Sequence, residues 1–388
     1  MTNYYISDFS FNCHLGKSRE DLASKIFNPD FVPKPKKVDL VSGDQSFFFS
    51  IEEELPPMQE EFKAFDSRNN RLALSLLNEL QDKLRRLEDK HCVQRLGIVC
   101  ATSTTGMDSF ENAMRLSNKD MSKSNYNFKL QEMGNLSGFV KSFLNWQGPA
   151  YTVSTACSSG LKIFSEAKSL LDSDLCDAVL LLAADTFCDL TVNGFNSLEA
   201  TSARICNPFS ANRDGINIGE AGAAFILSKE KSDFRLAGIG ESSDAYHISS
   251  PHPEGKYANL AIKQALEMAK ISAEEIAYLN LHGTATIKND SMEAVLVDSV
   301  FPKSLNTSST KAFVGHCLGA AGAIELVFCL LALQEGFCPI HLNDREWDPD
   351  LPKLNFVETK TALNTSFVMS NSFAFGGSNA SLIVEKIG

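Results

Sequence analysis

The segment Pro149-Ala150-Tyr151-Thr152-Val153-Ser154-Thr155-Ala156-Cys157-Ser158-Ser159-Gly160 joins a short β-prone run to the start of a helix. Strand-forming residues end at about Ser154, and from Leu161 to Leu171 the apolar residues recur at helical spacing. Cys157 is therefore expected at a strand-to-helix turn, where free backbone N–H groups and the helix dipole favour a thiolate. A nucleophile at such a turn is a recurrent catalytic device, although an isolated cysteine is more often a small buried core residue.

Segments of strand and helix character alternate along most of the chain. Apolar runs predict strands at 95–101, 177–185, 234–240, 276–282, 312–314, 366–372 and 380–386. Apolar residues at helical spacing predict helices at 18–27, 71–90, 130–146, 161–171, 257–270, 290–300 and 319–335. The first of these helices has a candidate N-cap in Ser18, with Asp21 three residues on. The alternation predicts an α/β fold with a mostly parallel sheet.

Two turns of small residues hold the same place in the order of elements in the two halves of the chain. Ala156-Cys157-Ser158-Ser159-Gly160 opens one long apolar helix, and His316-Cys317-Leu318-Gly319-Ala320 opens another. We interpret this as a duplicated topology, with one half over residues 1–232 and the other over residues 233–388.

Charge and composition argue against several functions. The 388 residues carry a formal net charge of −12, which argues against nucleic acid as the main partner. The ten cysteines include no C-x-x-C pair and no metal-ligand spacing, so we expect reduced thiols in a cytoplasmic protein without a metal centre. The best apolar run, 324–333, contains Glu325 and is too short for a membrane span, and the N-terminus lacks the pattern of a signal peptide.

Four motifs carry the candidate chemistry, and together they resemble one family. They are Thr155-Ala156-Cys157-Ser158-Ser159-Gly160, Leu281-His282-Gly283-Thr284-Ala285-Thr286, Lys311 to Gly322 with His316 inside it, and Ser372-Phe373-Ala374-Phe375-Gly376-Gly377-Ser378-Asn379. In order and spacing they resemble the β-ketoacyl-acyl carrier protein synthases, condensing enzymes of the thiolase fold. Asn207-Pro208-Phe209 and the stretch Arg213 to Gly222 are similar to that family's segment between the two halves. The resemblance runs from about Gly148 to the C-terminus and is weaker over residues 1–147.

The resemblance implies a thiolase-like fold of two duplicated βαβαβ halves, layered α-β-α-β-α, and a decarboxylative Claisen condensation. Cys157 would take the acyl chain from a carrier-protein thioester, and His282 and His316 would hold the enolate formed from malonyl thioester. Two neutral imidazoles suit an enolate oxygen because each offers one N–H donor. The backbone N–H groups of Cys157 and Phe375 would form the oxyanion hole for the tetrahedral intermediate.

Further residues are assigned by matching the family motifs. Lys311 matches the family lysine and is expected to tune the site electrostatically. Glu325, in an apolar helix, is expected to pair with Lys311 or with a backbone donor, because an unpaired buried carboxylate is costly. The remaining matches are two acidic supporting residues, Asp290 and Glu293, and two hydroxyls, Thr284 and Thr286, which either hold the phosphopantetheine arm or bond the backbone at a strand end. That arm is delivered by an acyl carrier protein, so no bound cofactor is expected.

The chain departs from the family pattern in two places. Ala374 replaces a glycine, which predicts restricted movement of the Phe375 loop. Thr102-Ser103-Thr104-Thr105-Gly106-Met107 replaces a more glycine-rich segment that borders the acyl pocket, and its hydroxyls suggest a chain that is not simply saturated, such as a polyene or polyketide intermediate. Candidate contacts for an acidic carrier protein are Lys63, Arg68, Arg71 and Arg204, diluted by Glu199 and the acidic stretch 52–61.

Three other functions remain open from the sequence. A thiolase or an initiating synthase would act on coenzyme A thioesters, but those enzymes carry Cys-His-Asn or Cys-His-Cys sets, which the two histidine motifs contradict. A non-catalytic partner subunit of the chain-length-factor type shares the fold, but such subunits commonly lack the nucleophile. A scaffold role would require the four motifs to be accidental. We expect a homodimer, or a heterodimer with a related synthase subunit.

Overall fold

The structure is a computed structural model that describes residues 2–124 and 126–388. Its strands are β1 (Tyr4–Cys13), β2 (Lys36–Asp39), β3 (Gln45–Phe49), β4 (Leu96–Ala101), β5 (Ala150–Val153), β6 (Ala178–Asp185), β7 (Ile218–Gly219), β8 (Ala221–Ser228), β9 (Phe234–Ser243), β10 (Ile276–Asn280), β11 (Asn306–Ser308), β12 (Asn355–Phe356), β13 (Phe367–Phe373) and β14 (Ser378–Lys386). Its α-helices are α1 (Arg19–Ile26), α2 (Arg68–Glu79), α3 (Gln81–Lys90), α4 (Met107–Leu116), α5 (Asn135–Leu144), α6 (Ser159–Asp172), α7 (Asp189–Ser197), α8 (Lys256–Ala269), α9 (Ile287–Val300), α10 (Lys311–Val314) and α11 (Ala321–Glu335).

Eleven strands form one continuous sheet in the order β12-β11-β10-β13-β14-β9-β1-β8-β6-β4-β5. Its two outer parts are parallel: β4 runs parallel to β5 and β6, and β10 runs parallel to β11 and β13. Its centre is antiparallel, because β1 pairs antiparallel with β8 and β9, and β14 with β9 and β13. The sheet is therefore mixed rather than mostly parallel. A second small sheet has the order β2-β3-β7.

Helices cover the sheet in layers. α2 and α5 pack on one face of the β4–β6 part, and α8 packs on the far face of β9 and β14. Between these two parts lie α6 and α11, which contact each other and strands from both halves of the chain. The expected α-β-α-β-α layering of a thiolase-like α/β fold is confirmed.

The central helix α11 is buried almost throughout. Each residue from Ala321 to Leu333 is buried, including the carboxylate residue Glu325. Leu318–Glu335 is long and apolar enough to cross a membrane, but 89% of this window is buried inside the protein. Its apolar composition is explained by its place between the two parts of the sheet, as expected for a core helix.

The predicted division at residues 232 and 233 lies in the loop between β8 and β9. β1 pairs with both of these strands, so the sheet continues across the division. Two separate halves over 1–232 and 233–388 remain a prediction.

Among the predicted elements, one is wrong in type and one is divided in two. Residues 312–314, predicted as a strand, belong to the short helix α10, and the neighbouring strand is the earlier β11. A short apolar run fits either element, which explains the error. The single helix predicted over 71–90 is two helices that meet at Leu80. By contrast, the Ser18 cap is confirmed, since its hydroxyl accepts the Asp21 N–H.

Candidate active site

The turn that carries Cys157 is short and tightly bonded. It lies between the end of β5 at Val153 and the start of α6 at Ser159, so the predicted strand-to-helix position of Cys157 is confirmed. Ala156 has a φ of 52°, a left-handed conformation that costs a non-glycine residue about 1 kcal/mol. The Ser159 hydroxyl accepts the Thr155 N–H at 2.8 Å and donates to the Ala156 carbonyl at 2.6 Å. These bonds hold the strained turn in place.

Cys157, His282 and His316 come together from segments far apart in the sequence. The sulfur of Cys157 lies 2.9 Å from Nε2 of His316. The two imidazole rings are 5.6 Å apart between centroids and nearly perpendicular, at 83°. All three side chains are buried. One bound thioester can therefore reach the sulfur and both rings.

The backbone of His316 is held by the segment around β7. The His316 N–H donates to the Asn217 carbonyl at 2.7 Å, and the Gly219 N–H donates to the His316 carbonyl at 3.1 Å. Asn217 is itself fixed, because its side-chain oxygen accepts the Cys206 N–H at 2.6 Å and its amide donates to the Arg204 carbonyl at 2.8 Å. No local sequence pattern around Asn217 indicates this role.

The His282 segment is held by charged groups on three elements. The carboxylate of Glu293 accepts the N–H groups of His282 and Gly283 at 2.9 and 2.8 Å. The ammonium of Lys311 donates to the His282 carbonyl at 2.5 Å and to the Glu325 carboxylate. The expected pairing of Glu325 with Lys311 is therefore confirmed.

Burial and the charge of Lys311 keep both imidazoles neutral. Burial lowers the pKa of His282 and that of His316 well below the usual histidine value, and the positive charge of Lys311 lowers both further. A neutral imidazole offers one N–H donor. Nδ1 of each ring has no hydrogen-bond partner among the residues that the structure describes. No hydrogen bond to these residues therefore holds the ring proton on Nδ1 rather than on Nε2.

The thiol of Cys157 differs from the sequence-based expectation. Burial raises its pKa to about 11, although Lys311 and the backbone N–H groups of Phe375 and Cys157 act in the opposite direction. The turn therefore lowers the pKa of the thiol as expected, but desolvation in the closed site is the larger effect. The free protein holds Cys157 as a thiol rather than a thiolate at neutral pH.

The turn after β13 places a second backbone N–H beside the sulfur. The backbone N–H groups of Phe375 and Cys157 lower the pKa of the Cys157 thiol, which indicates that both lie near its sulfur. Gly376 and Gly377 have φ values of 84° and 79°, which glycine adopts without strain. The side chain of Phe375 packs against Phe195, with 5.7 Å between ring centroids. The two N–H groups assigned to an oxyanion hole thus lie at the nucleophile, and that role remains a prediction.

A cavity of about 360 Å³ opens over the three reactive side chains. Its lining includes Cys157, His282, His316, Phe375 and both threonines assigned to the pantetheine arm. The hydroxyls of Thr284 and Thr286 are 2.8 Å apart. Their position suits a polar contact with a long arm, and their role in binding it remains a prediction.

The two acidic residues matched to the family lie behind the cavity. Asp290 accepts the Phe209 N–H at 2.8 Å, and burial raises its pKa to about 6. Burial likewise raises the pKa of Glu293 to about 7. Within the described part of the chain, neither residue lines the cavity. Both accept backbone N–H groups, and Asp290 also accepts the Asn289 side-chain amide at 3.1 Å, which fits a supporting role.

Two of the four hydroxyls in segment 102–107, those of Thr102 and Thr104, bind a buried carboxylate, and no residue of the segment lines the cavity over Cys157 among the described residues. Oδ1 of Asp185 accepts the hydroxyls of Thr102 and Thr104, at 2.9 and 2.8 Å, and the N–H groups of Ser103 and Thr104. Its Oδ2 accepts the Ala320 N–H at 3.1 Å, near the start of α11. The suggestion that these hydroxyls report a polar acyl chain is therefore unsupported. Asp185 was missed, although a carboxylate ending a buried apolar strand is a recognisable signal.

The four candidate contacts for a carrier protein are all engaged in ion pairs. Arg68 binds the buried Glu220 at 2.6 Å and so belongs to the structure behind the site. The other three pair on the surface: Lys63 and Arg71 with Asp66, and Arg204 with Asp214. Their role as contacts for a carrier protein remains a prediction.

Sequence profiles of known families match most of the chain. The profile described as "Beta-ketoacyl synthase, N-terminal domain" matches residues 49–233, and "Beta-ketoacyl synthase, C-terminal domain" matches residues 234–344. The chain belongs to the β-ketoacyl synthase family. Among residues 2–124 and 126–388 of this synthase-family chain, no group of three His, Cys, Asp or Glu side chains is arranged to hold a metal ion.

Relatives of this β-ketoacyl synthase-family chain come from several lineages. Nodulation protein E of Rhizobium leguminosarum bv. trifolii is 36% identical over 65% of this chain, and the mitochondrial 3-oxoacyl-[acyl-carrier-protein] synthase of Arabidopsis thaliana is 34% identical over 65%. The matched stretches span 65% and 59% of those two proteins, in both cases less than two thirds. A chain in the complex of a ketosynthase with its chain length factor from Xenorhabdus doucetiae is 37% identical, with a TM-score of 0.94 over 99% of this chain and 98% of that one.

Proposed function

We propose that this protein is a β-ketoacyl-acyl carrier protein synthase that extends an acyl chain by decarboxylative Claisen condensation. The observation that carries the proposal is the meeting of the Cys157 sulfur with the neutral rings of His282 and His316 beneath one cavity. The pathway is fatty-acid or polyketide chain elongation. The cysteine spacing supports a cytoplasmic location.

The first half-reaction is acyl transfer to Cys157. The sulfur attacks the carbonyl carbon of an acyl thioester, and the N–H groups of Cys157 and Phe375 hold the oxyanion of the tetrahedral intermediate. Collapse breaks the bond to the pantetheine sulfur. The proton that Cys157 loses ends on that leaving sulfur, so the S–H bond broken at Cys157 is matched by the S–H bond formed on pantetheine.

The second half-reaction forms the new carbon–carbon bond. The carboxylate of malonyl thioester leaves as carbon dioxide, and the electron pair moves onto the thioester oxygen as an enolate. N–H donors of His282 and His316 hold that oxygen. The enolate carbon attacks the Cys157 thioester, and the released thiolate of Cys157 takes up a proton. Lys311 contributes by keeping both rings neutral, so that neither forms a competing cation.

The acyl and malonyl groups arrive on the phosphopantetheine arm of an acyl carrier protein, which enters the cavity as part of the substrate. Thr284 and Thr286 would contact the arm from the cavity wall. Support for this partner comes from the names of relatives, since the Arabidopsis thaliana protein is a 3-oxoacyl-[acyl-carrier-protein] synthase. The chain would act as a homodimer or with a related synthase subunit, as in the complex of the Xenorhabdus doucetiae ketosynthase with its chain length factor. A non-catalytic subunit is the less favoured assignment, because all three reactive residues are present and assembled.

Mass spectrometry of the intact protein tests the proposal. After incubation with a panel of acyl carrier proteins, the wild-type chain should gain one acyl group on Cys157 and lose it when malonyl carrier protein is added. Cys157→Ala should abolish condensation while retaining part of the decarboxylation of malonyl thioester, because the enolate is held by the two rings. A Cys157→Ala variant that still elongates acyl chains would refute the assignment.

His316→Ala separates the two half-reactions. Because the enolate loses a donor, decarboxylation should fall by about two orders of magnitude, the usual cost of removing one oxyanion donor. Acylation of Cys157 should fall less. Equal losses in both half-reactions would instead show that His316 acts chiefly on the thiol or on the local structure.

A further inference from the structure

Exposed apolar side chains gather at the mouth of the cavity over Cys157. Leu198 is 56% exposed and Ile287 is 64% exposed, and both line the cavity from different segments. Ile248 is 80% exposed on a third segment. Its carbonyl accepts the Gly376 N–H at 2.7 Å, which places it beside the Phe375 turn. We call these three side chains the apolar rim.

The apolar rim is unusual for an exposed surface. Large apolar side chains grouped on a surface mark interaction sites more often than isolated ones do. Here the three residues come from separate segments, one of them the start of α9, and surround one opening, so packing of a single helix face does not explain them. The opening leads to Cys157, and whatever brings the thioester must contact this edge.

Charge at the same mouth does not favour an acidic partner. Glu199 and Asp214 line the cavity together with Lys288, whose ammonium donates to the Ser250 hydroxyl at 2.9 Å. Arg204 is already paired with Asp214 at 3.0 Å. The anions and cations at the opening therefore balance, and long-range steering of an acidic protein would be weak.

We propose that the apolar rim, rather than basic side chains, carries the contact between this protein and its acyl carrier protein. This inference rests on the proposed function, because a carrier protein is the partner that must reach Cys157 with a tethered thioester. The carrier surface beside the arm then presents apolar side chains to Leu198, Ile248 and Ile287. The binding depends weakly on salt, because little charge is neutralised on docking.

The test compares two acyl donors for Cys157. One is an acyl carrier protein, and the other is the same acyl group on N-acetylcysteamine, which has no protein surface. The measured quantity is the rate constant for acylation of Cys157 by the carrier protein divided by the rate constant for acylation by the N-acetylcysteamine thioester. Both are followed by intact mass. We expect Ile248→Ser to lower this ratio at least fivefold, and Ile248→Ser with Ile287→Ser to lower it at least twentyfold. The matched control is Leu175→Ser, which changes a 53% exposed leucine just beyond the C-terminal end of α6 and should leave the ratio unchanged.

Salt and charge variants complete the test. Between 50 and 500 mM NaCl the ratio for the wild-type protein should change less than threefold, and Lys63→Ala with Arg71→Ala should not lower it. The proposal is overturned if the rim variants keep the wild-type ratio, or if the ratio falls steeply with salt. A wild-type protein that accepts neither donor would instead refute the proposed function, and the rim inference with it.

Discussion

Cys157 and His316 are in contact, and neither carries a charge in the free site. Burial raises the pKa of the thiol to about 11 and lowers the pKa of His316, so the pair is a thiol beside a neutral imidazole. A thiolate–imidazolium pair would require both shifts to reverse within the same desolvated space. The N–H groups of Cys157 and Phe375 become useful once negative charge forms on a substrate oxygen. The site is thus built for transition-state charge rather than for a resting thiolate.

The raised pKa of Cys157 predicts its reactivity with iodoacetamide. Below pH 11 the thiolate fraction rises about tenfold per pH unit, so the alkylation rate of Cys157 should rise by about that factor per unit between pH 7 and pH 9. The rate is measured by mass spectrometry in a Cys92→Ser background, because Cys92 is exposed. Cys157→Ala identifies the adduct. A plateau below pH 8 would contradict the raised pKa.

At the scale of secondary structure, Asp185 ties the start of α11 to the carboxyl ends of β4 and β6. It ends β6, bonds the loop after β4, and accepts the Ala320 N–H at the start of α11, four residues after His316. α6, which follows Cys157, packs against α11. The distance between Cys157 and His316 is therefore set by contacts that cross from the first half of the chain to the second.

Gly319→Ala probes this junction. An added Cβ would lie 2.7 Å from the Ser103 hydroxyl and 2.8 Å from Oδ2 of Asp185, so the start of α11 must shift. Because a displacement of about 1 Å in a catalytic group costs roughly a hundredfold in rate, condensation should fall between tenfold and a hundredfold. The acylation and decarboxylation rates are measured, and the midpoint temperature of thermal unfolding is measured for the same variant.

The control for Gly319→Ala is Gly134→Ala, where an added Cβ meets no atom within 4 Å. This variant should keep the wild-type rates. Wild-type rates in Gly319→Ala would show that the junction tolerates movement and that Asp185 does not position His316.

Regular elements with a clear pattern were predictable from the sequence, and irregular ones were not. The buried strand at 178–185 and the Ser18 cap follow from local composition and spacing. The four-residue helix α10 was predicted as a strand because so short an apolar run fits either period. The break at Leu80 lies inside a continuous helical spacing of apolar residues. That spacing predicts one helix on both sides of the break, so the break itself could not be predicted from it.

Contacts between distant residues limit the prediction of the site. Motif resemblance named Cys157, His282 and His316, and the charge on Lys311 made its pairing with Glu325 predictable. The partner of Arg68, by contrast, is Glu220, 152 positions away, and no local pattern indicates that pair. The raised pKa of Cys157 was also hidden, because desolvation depends on the whole packed environment.

At the scale of the whole molecule, the eleven-stranded sheet ends in two unequal edges. One edge is β12, which has two residues, and the other is β5, with four residues that are each only partly buried. The Ile98 N–H donates to the Pro149 carbonyl. In a parallel pair of strands, every second residue of one strand bonds the other strand, and here Pro149 is one of the residues that bond β4. The N–H of Thr152, three residues on, therefore points away from β4, toward the open edge. Such an unpaired strand is a template for another chain.

We therefore expect this protein to associate through β5, and Thr152→Pro tests it by removing the outward N–H. Light scattering should give twice the mass of one chain for the wild type, and a shift toward the monomer for Thr152→Pro, with a dissociation constant raised at least tenfold. Thr152→Val is the matched control: it keeps the N–H and loses the hydroxyl that donates to Ser137 at 2.9 Å. A Thr152→Pro variant that dimerises as tightly as Thr152→Val, with the same midpoint of thermal unfolding, would exclude the β5 edge as the site of association. If the wild type is monomeric alone, the same comparison is made in a mixture with a related synthase subunit, where Thr152→Pro should prevent the mixed dimer.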